Sequence, residues 1–174
     1  MSVIILGVDP GLANTGWGVV ETDGARFRCL GYGCIRTVAA DDTAGRCKAV
    51  HDGLAGVIAR FSPAEAAFEN IYFNRNVQTA MATGQARGAA LVAAADARLT
   101  VGEYGPGEIK LAVVGSGTAD KRQITYMVRT ILALDHDPEP DHAADALAAA
   151  ICHANQRVAR ARAAEAGRAA GGAR

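Results

Sequence analysis

At 174 residues the chain is the size of one compact domain with a sizeable core. Half of it is apolar and 21% is charged, which excludes a disordered chain, and no apolar run approaches the roughly 18 residues that span a bilayer. Net charge is zero, but five arginines and one acid lie from Arg157 onward; the 13 basic and 17 acidic residues before it allow a phosphate-binding surface only as a local patch.

The chain starts at Met1-Ser2-Val3-Ile4 with no basic stretch or small-residue cleavage site, so the expected location is the cytoplasm. Val3 to Val8 is a continuous apolar run ending at Asp9-Pro10-Gly11, which predicts a central strand buried on both faces. Gly16 to Val20 and Arg26 to Ile35 predict two more strands. The short turns between them make an antiparallel meander. Cys47, Val50, Leu54, Val57, Ile58 and Phe61 then recur at spacings of 3 and 4, a helix that Ser62-Pro63 ends.

Ala66 to Glu69 reads as a short strand ending in a carboxylate. From Asn76, an N-cap residue type, a long helix carries Val77, Ala80, Met81, Gly84, Gly88, Leu91, Val92 and Ala95 on one stripe. These small residues suit close packing, either on the chain's own sheet or across a dimer seam. Leu99 to Tyr104 is a fifth strand, and Pro106 opens a short helix through Val114. Another helix follows Thr118, and a last one starts near Pro140 and runs to about Arg160. The expected fold is α/β, with a five-stranded mixed sheet flanked by helices. One domain is expected over 1–156, with an Ala/Gly/Arg-rich tail over 157–174 that frays. Cys29, Cys34, Cys47 and Cys152 form neither a C-x-x-C pair nor a zinc spacing and read as small buried hydrophobes.

Three places put acids where a site can form. Asp9 and Glu69 each end a strand, where such sheets commonly present functional groups. Asp141-His142-Ala143-Ala144-Asp145 opens the last helix, and Asp145 shares a helix face with either His142 or Asp141. Clustered carboxylates repel one another and lose hydration, so a cation is their usual company, and hard oxygen donors suit Mg²⁺ or Mn²⁺. Two such ions can activate a water and stabilise the leaving oxygen of a phosphodiester. Asp9 would then bridge them, with Glu69, His142 and Asp145 completing the sites. The rival explanation is plain: a turn-forming Asp9, and an Asp141 that complements the helix dipole.

Five ordered blocks resemble the RuvC-type junction resolvases. They are Gly7-Val8-Asp9-Pro10-Gly11 with Thr15-Gly16; Glu69 with Tyr72/Phe73; Gly84-Gln85-Ala86-Arg87-Gly88; Glu108-Ile109-Lys110 leading to Val113-Val114-Gly115; and His142-Ala143-Ala144-Asp145-Ala146-Leu147-Ala148. The resemblance implies an RNase H-like fold and a homodimer that places paired symmetric nicks in a four-way DNA junction with Mg²⁺ or Mn²⁺. RuvA and RuvB, branch-migration proteins, are the implied partners. Its metal-binding residues fall on Asp9, Glu69, His142 and Asp145. Many members carry Asp where this chain has His142, and Asp141 is the alternative ligand. An imidazole ligand predicts a Mn²⁺ preference and activity lost below about pH 6.5.

Tyr72 and Phe73 lie in the polar stretch after Glu69 and suit stacking on an unpaired base, although one ring, Phe73, can instead anchor the loop inward. The resemblance places an aromatic wedge here, best matched by Tyr72. Lys110 and Lys121 match lysines that contact phosphate near the cut. Arg75, Arg87 and Arg122 are further cations, and Arg87, inside a helix, can serve structure instead. Rival functions are an actin-like ATPase or sugar kinase, a junction-binding protein that has lost catalysis, and a related nuclease acting on RNA–DNA hybrids.

Overall fold

The computed structural model describes residues 2–70 and 77–171. Three strands come first: β1 (Val3–Asp9), β2 (Asn14–Thr22) and β3 (Phe27–Arg36). Then α1 (Thr43–Phe61), β4 (Glu65–Glu69), α2 (Val77–Asp96) and β5 (Thr100–Tyr104) alternate. Three helices close the chain: α3 (Pro106–Val114), α4 (Lys121–Ile131) and α5 (Asp141–Gly171). The sheet order is β3-β2-β1-β4-β5, so β1 is central. β1, β2 and β3 pair antiparallel, whereas β4 and β5 continue the sheet parallel to β1. The expected element order and mixed sheet are both observed.

The alternation of side chains along the strands divides the core in two. Leu6, Val8, Val19, Ala66 and Phe68 pack under α1 and α2 with Val50, Leu54, Ala90 and Ala94. Ile5, Val20 and Ala67 face the other way, onto Leu147, Ile151 and the apolar sides of α3 and α4. α5 is buried almost without interruption from Ala143 to Ala154 and lies directly on β1 and β2. Its close approach depends on glycines below it. A Cβ at Gly7 would stand 1.9 Å from the Ala146 carbonyl oxygen, and one at Gly16 would stand 1.9 Å from that of His142.

One sequence expectation changes, and one open alternative narrows. α5 continues to Gly171 instead of ending near Arg160. In α2 the buried positions are Ala86, Ala90, Ala93 and Ala94, while Met81 and Val92 are 62% and 53% exposed. A Cβ at Gly84 or Gly88 would meet nothing within 4 Å. The cause is low contrast: alanines surround this helix, so apolar periodicity does not single out the side that meets the sheet. Among the cysteines, Cys152 is buried, whereas Cys29, Cys34 and Cys47 are half-buried and all four are free thiols.

Candidate active site

β1 and β4 are parallel neighbours, paired in register up to Val8 opposite Phe68. One further residue sets Asp9 and Glu69 side by side at the carboxyl ends of the two strands. The two-residue period puts both acids on the face of the sheet covered by α5. The turn after Asp9 is held by the buried Thr15, whose hydroxyl donates to the Gly11 carbonyl at 2.8 Å. That hydrogen bond explains why Thr15-Gly16 accompanies Asp9-Pro10-Gly11: Thr15 closes the turn and Gly16 admits α5.

The first turn of α5 then delivers its side chains to the strand ends. His142 Nδ1 lies 2.7 Å from Asp9 Oδ2. Asp145 follows three residues later and is two-thirds or more buried (side chain 28% exposed). Asp141 points elsewhere, to Lys121 Nζ at 3.0 Å, which also approaches Asp145 at 3.5 Å. Of the two rival α5 donors, His142 therefore contacts Asp9, and Asp141 forms an exposed ion pair.

Lys121 begins α4, where Asp120 accepts from the Gln123 N–H and the Gln123 side chain accepts from the Asp120 N–H, both at 2.9 Å. Lys110 sits in α3, whose start is closed by Glu108 accepting from the Gly105 N–H at 2.7 Å. Both lysines line a cavity of about 180 Å³ with Glu69, Asp145, Pro106 and Ile124. Glu69, Lys110, Lys121 and Asp145 are thus gathered from four elements around one opening.

The electrostatics bear the mark of crowded negative charge. Burial pushes the Glu69 carboxyl up to about 7, and Asp9 and Asp145 push in the same direction against Lys110 and Lys121. Asp145 is also raised, first by burial and then by Asp9, with Lys121 opposing. Burial works against the Lys121 ammonium, but its hydrogen bond to Asp141 and the charge of Asp145 hold its value above the ordinary lysine range. Among the described residues no three His, Cys, Asp or Glu side chains close tightly enough to enclose a cation alone. Their chemistry nevertheless fits a hard divalent ion shared with substrate oxygens: three carboxylates and an imidazole, with two acids raised first by burial and then by neighbouring negative charge.

Tyr72, Phe73 and Arg75 lie outside the described residues. Arg87 has a structural place: it donates to the Glu69 carbonyl at 2.7 Å and to Asn70 Oδ1 at 3.2 Å, and pairs with Glu103 at 2.6 Å. It therefore anchors the end of β4 that carries Glu69. Sequence reading missed Arg46, which lines a second depression bordered by His142. A cation in the first turn of an ordinary surface helix gives no local signal of that position.

The family model for crossover junction endodeoxyribonuclease RuvC matches residues 5–153. The RuvC of Heliobacterium modesticaldum is 49% identical over 153 residues, covering 88% of this chain and 94% of that protein. That of Pelotomaculum thermopropionicum is 50% identical over 153 residues, with 88% and 93% covered. Among solved structures, T. thermophilus RuvC in complex with Holliday junction substrate superposes with a TM-score of 0.86 at 38% identity, covering 89% of this chain and 94% of that one. The fold is accordingly RNase H-like. The match takes in Asp9, β2 to β5 and the helix turn that brings His142 to Asp9, and the chain belongs to the RuvC family of crossover junction endodeoxyribonucleases.

Proposed function

We propose that this endonuclease resolves four-way DNA junctions by paired symmetric nicks, with divalent ions held by Asp9, Glu69, His142 and Asp145. The observation that supports it most is the convergence of acids from β1, β4 and α5 beside two lysines, with the Glu69 carboxyl pushed up to about 7. The similar T. thermophilus protein was solved with a Holliday junction substrate. When bound, the ions supply charge neutralisation and an activated water for phosphodiester hydrolysis.

The chain's own residues do the rest. The hydrogen bond from His142 orients Asp9. Arg87 fixes the backbone at Glu69. Lys110 and Lys121 meet the charge that develops on the phosphoryl oxygens. Tyr72 and Phe73 supply stacking surface for an unpaired base, and Arg75 a phosphate contact. Because a junction has two strands to cut, the same proposal includes a homodimer, with the exposed α2 stripe of Met81, Gly84, Gly88 and Val92 as its seam. Action in the cytoplasm with RuvA and RuvB completes it; no helix among the described residues is long and apolar enough to cross a membrane.

The test is cleavage of a synthetic four-way junction beside a linear duplex and an RNA–DNA hybrid, in Mg²⁺ and in Mn²⁺. Paired nicks confined to the junction and lost in Asp9→Asn are expected. Equal cutting of duplex or hybrid, or full activity in Asp9→Asn, would overturn the proposal. The imidazole donor favours Mn²⁺, so the Mn²⁺ advantage should shrink in His142→Asp; an unchanged metal preference would count against His142 as a ligand.

A further inference from the structure

His142 also borders a cavity of about 410 Å³ that neither lysine lines, walled by the Gly11–Asn14 turn, Arg46 of α1, and Gln78, Thr79 and Thr83 of α2. Among the described residues no acidic side chain lines it, although it borders a site made of acids. Arg46 is its cation and is held from behind. Its Nε donates to Thr37 Oγ1 at 2.8 Å, and the Thr37 hydroxyl donates to the Leu12 carbonyl at 2.6 Å. The Thr37 N–H binds the Ala13 carbonyl at 3.1 Å, so the turn, Thr37 and Arg46 form one braced unit. Among the described residues no carboxylate pairs with this guanidinium, unlike Arg28 and Arg157, which are tied to Glu21 and Glu65.

An arginine fixed through Nε and lacking an acid partner presents its terminal nitrogens to an oxyanion, which a planar fork binds better than a flexible ammonium does. A DNA strand that offers its scissile phosphate to Asp9, Glu69 and Asp145 carries another phosphate one nucleotide away on each side. We propose that the Arg46 cavity binds one of these two neighbouring phosphates of the cut strand, with Asn14, Gln78 and Thr83 lining the space for its nucleotide. The inference rests on the junction-cutting reading above. It makes Arg46 a strand-positioning residue and Thr37 the residue that aims it.

The experiment measures binding of the full chain to a synthetic junction in chelator, where the strand stays intact. The junctions carry a single uncharged methylphosphonate at one or the other phosphate flanking the mapped cut. Wild type should lose about tenfold in affinity at one flanking position, the scale of one charged hydrogen-bonded contact. Arg46→Gln should lose about as much on the unmodified junction and nothing further from that methylphosphonate. Its log affinity against log salt should be shallower by about 0.7–0.9. Arg46→Lys should recover part of the loss, and Thr37→Val should show a smaller loss at the same position. Affinity unchanged in Arg46→Gln, or losses that simply add at both flanking positions, would overturn the assignment while leaving junction cutting intact. A wild-type chain that neither binds nor nicks the junction would instead overturn the functional reading, and this inference with it.

Discussion

Glu69 ends β4 half-buried beside Asp9 and Asp145, and burial, then those two charges, push its carboxyl up to about 7 from an ordinary 4.5. Below about 4.5 the group is protonated folded and unfolded, and folding loses nothing. Between 4.5 and 7 the unfolded chain releases the proton and the folded chain retains it, so stability falls as pH rises through that window. The full effect, at most on the order of 3 kcal/mol, is reached above 7. Metal-free protein should therefore show a Tm that declines from pH 5 to pH 8, with a shallower decline in Glu69→Gln. A divalent ion added at pH 8 should raise the Tm of wild type more than that of the variant, because cation binding to the folded state offsets the repulsion. Thermal melts across pH, with and without Mn²⁺, check both statements; parallel slopes in the two proteins would show that Glu69 is not the crowded group.

At the scale of elements, the distance between α5 and the sheet decides whether a site exists. Gly16→Ala would place a methyl group 1.9 Å from the His142 carbonyl oxygen, against backbone that has nowhere to go except outward. Overpacking of this kind costs about 1–3 kcal/mol, but its catalytic effect should be larger, since it lifts the turn bearing His142 from Asp9. Cleavage should fall by at least about 100-fold while circular dichroism still reports a folded chain; cleavage within a fewfold of wild type would mean that α5 is not positioned by this contact. α1 and α2 are linked differently, by His51, whose Nδ1 meets Asp52 at 3.0 Å and whose Nε2 meets Asp96 at 3.1 Å. These bonds, Asp52 first, raise the imidazole above its usual value, so their stabilisation is complete below about 6.5 and is lost as pH rises through the folded value. His51→Gln should lower Tm more at pH 6 than at pH 8.5, modestly because the group is exposed; equal losses at both would remove the charge from the explanation. The elements themselves were legible in the sequence, since the Val3–Val8 run, the Cys47–Phe61 spacing and Pro106 each have a direct backbone consequence. The inward side of α2 was not, because alanine is small and apolar on every side of it.

For the whole molecule, net charge concealed the chemistry. An acidic cluster and the cations around it, Lys110, Lys121 and Arg46, nearly cancel in any total and separate only when the chain is folded. Residue chemistry could mark Asp9 and Glu69 as strand-end acids, but no spacing rule joins them to His142 across 133 positions; ordered motif resemblance supplied that link, and the 2.7 Å contact gives it geometry. The same limit applies to assembly. α2 keeps Ala86, Ala90, Ala93 and Ala94 for its own core and turns Met81 and Val92 to solvent, with nothing near a Cβ at Gly84 or Gly88. Such a face allows two helices to approach closely, and a two-fold pairing there would double one active site into two. Met81→Glu combined with Val92→Glu should convert the chain to a monomer by light scattering, since the seam would desolvate unpaired carboxylates from both copies. Wild-type Tm should rise with protein concentration and the variant's should not. Because both residues are exposed in the single chain, the variant should still fold and retain single nicks, losing the pairing that turns two cuts into resolution. A variant that stays dimeric and still nicks in pairs would move the seam away from α2.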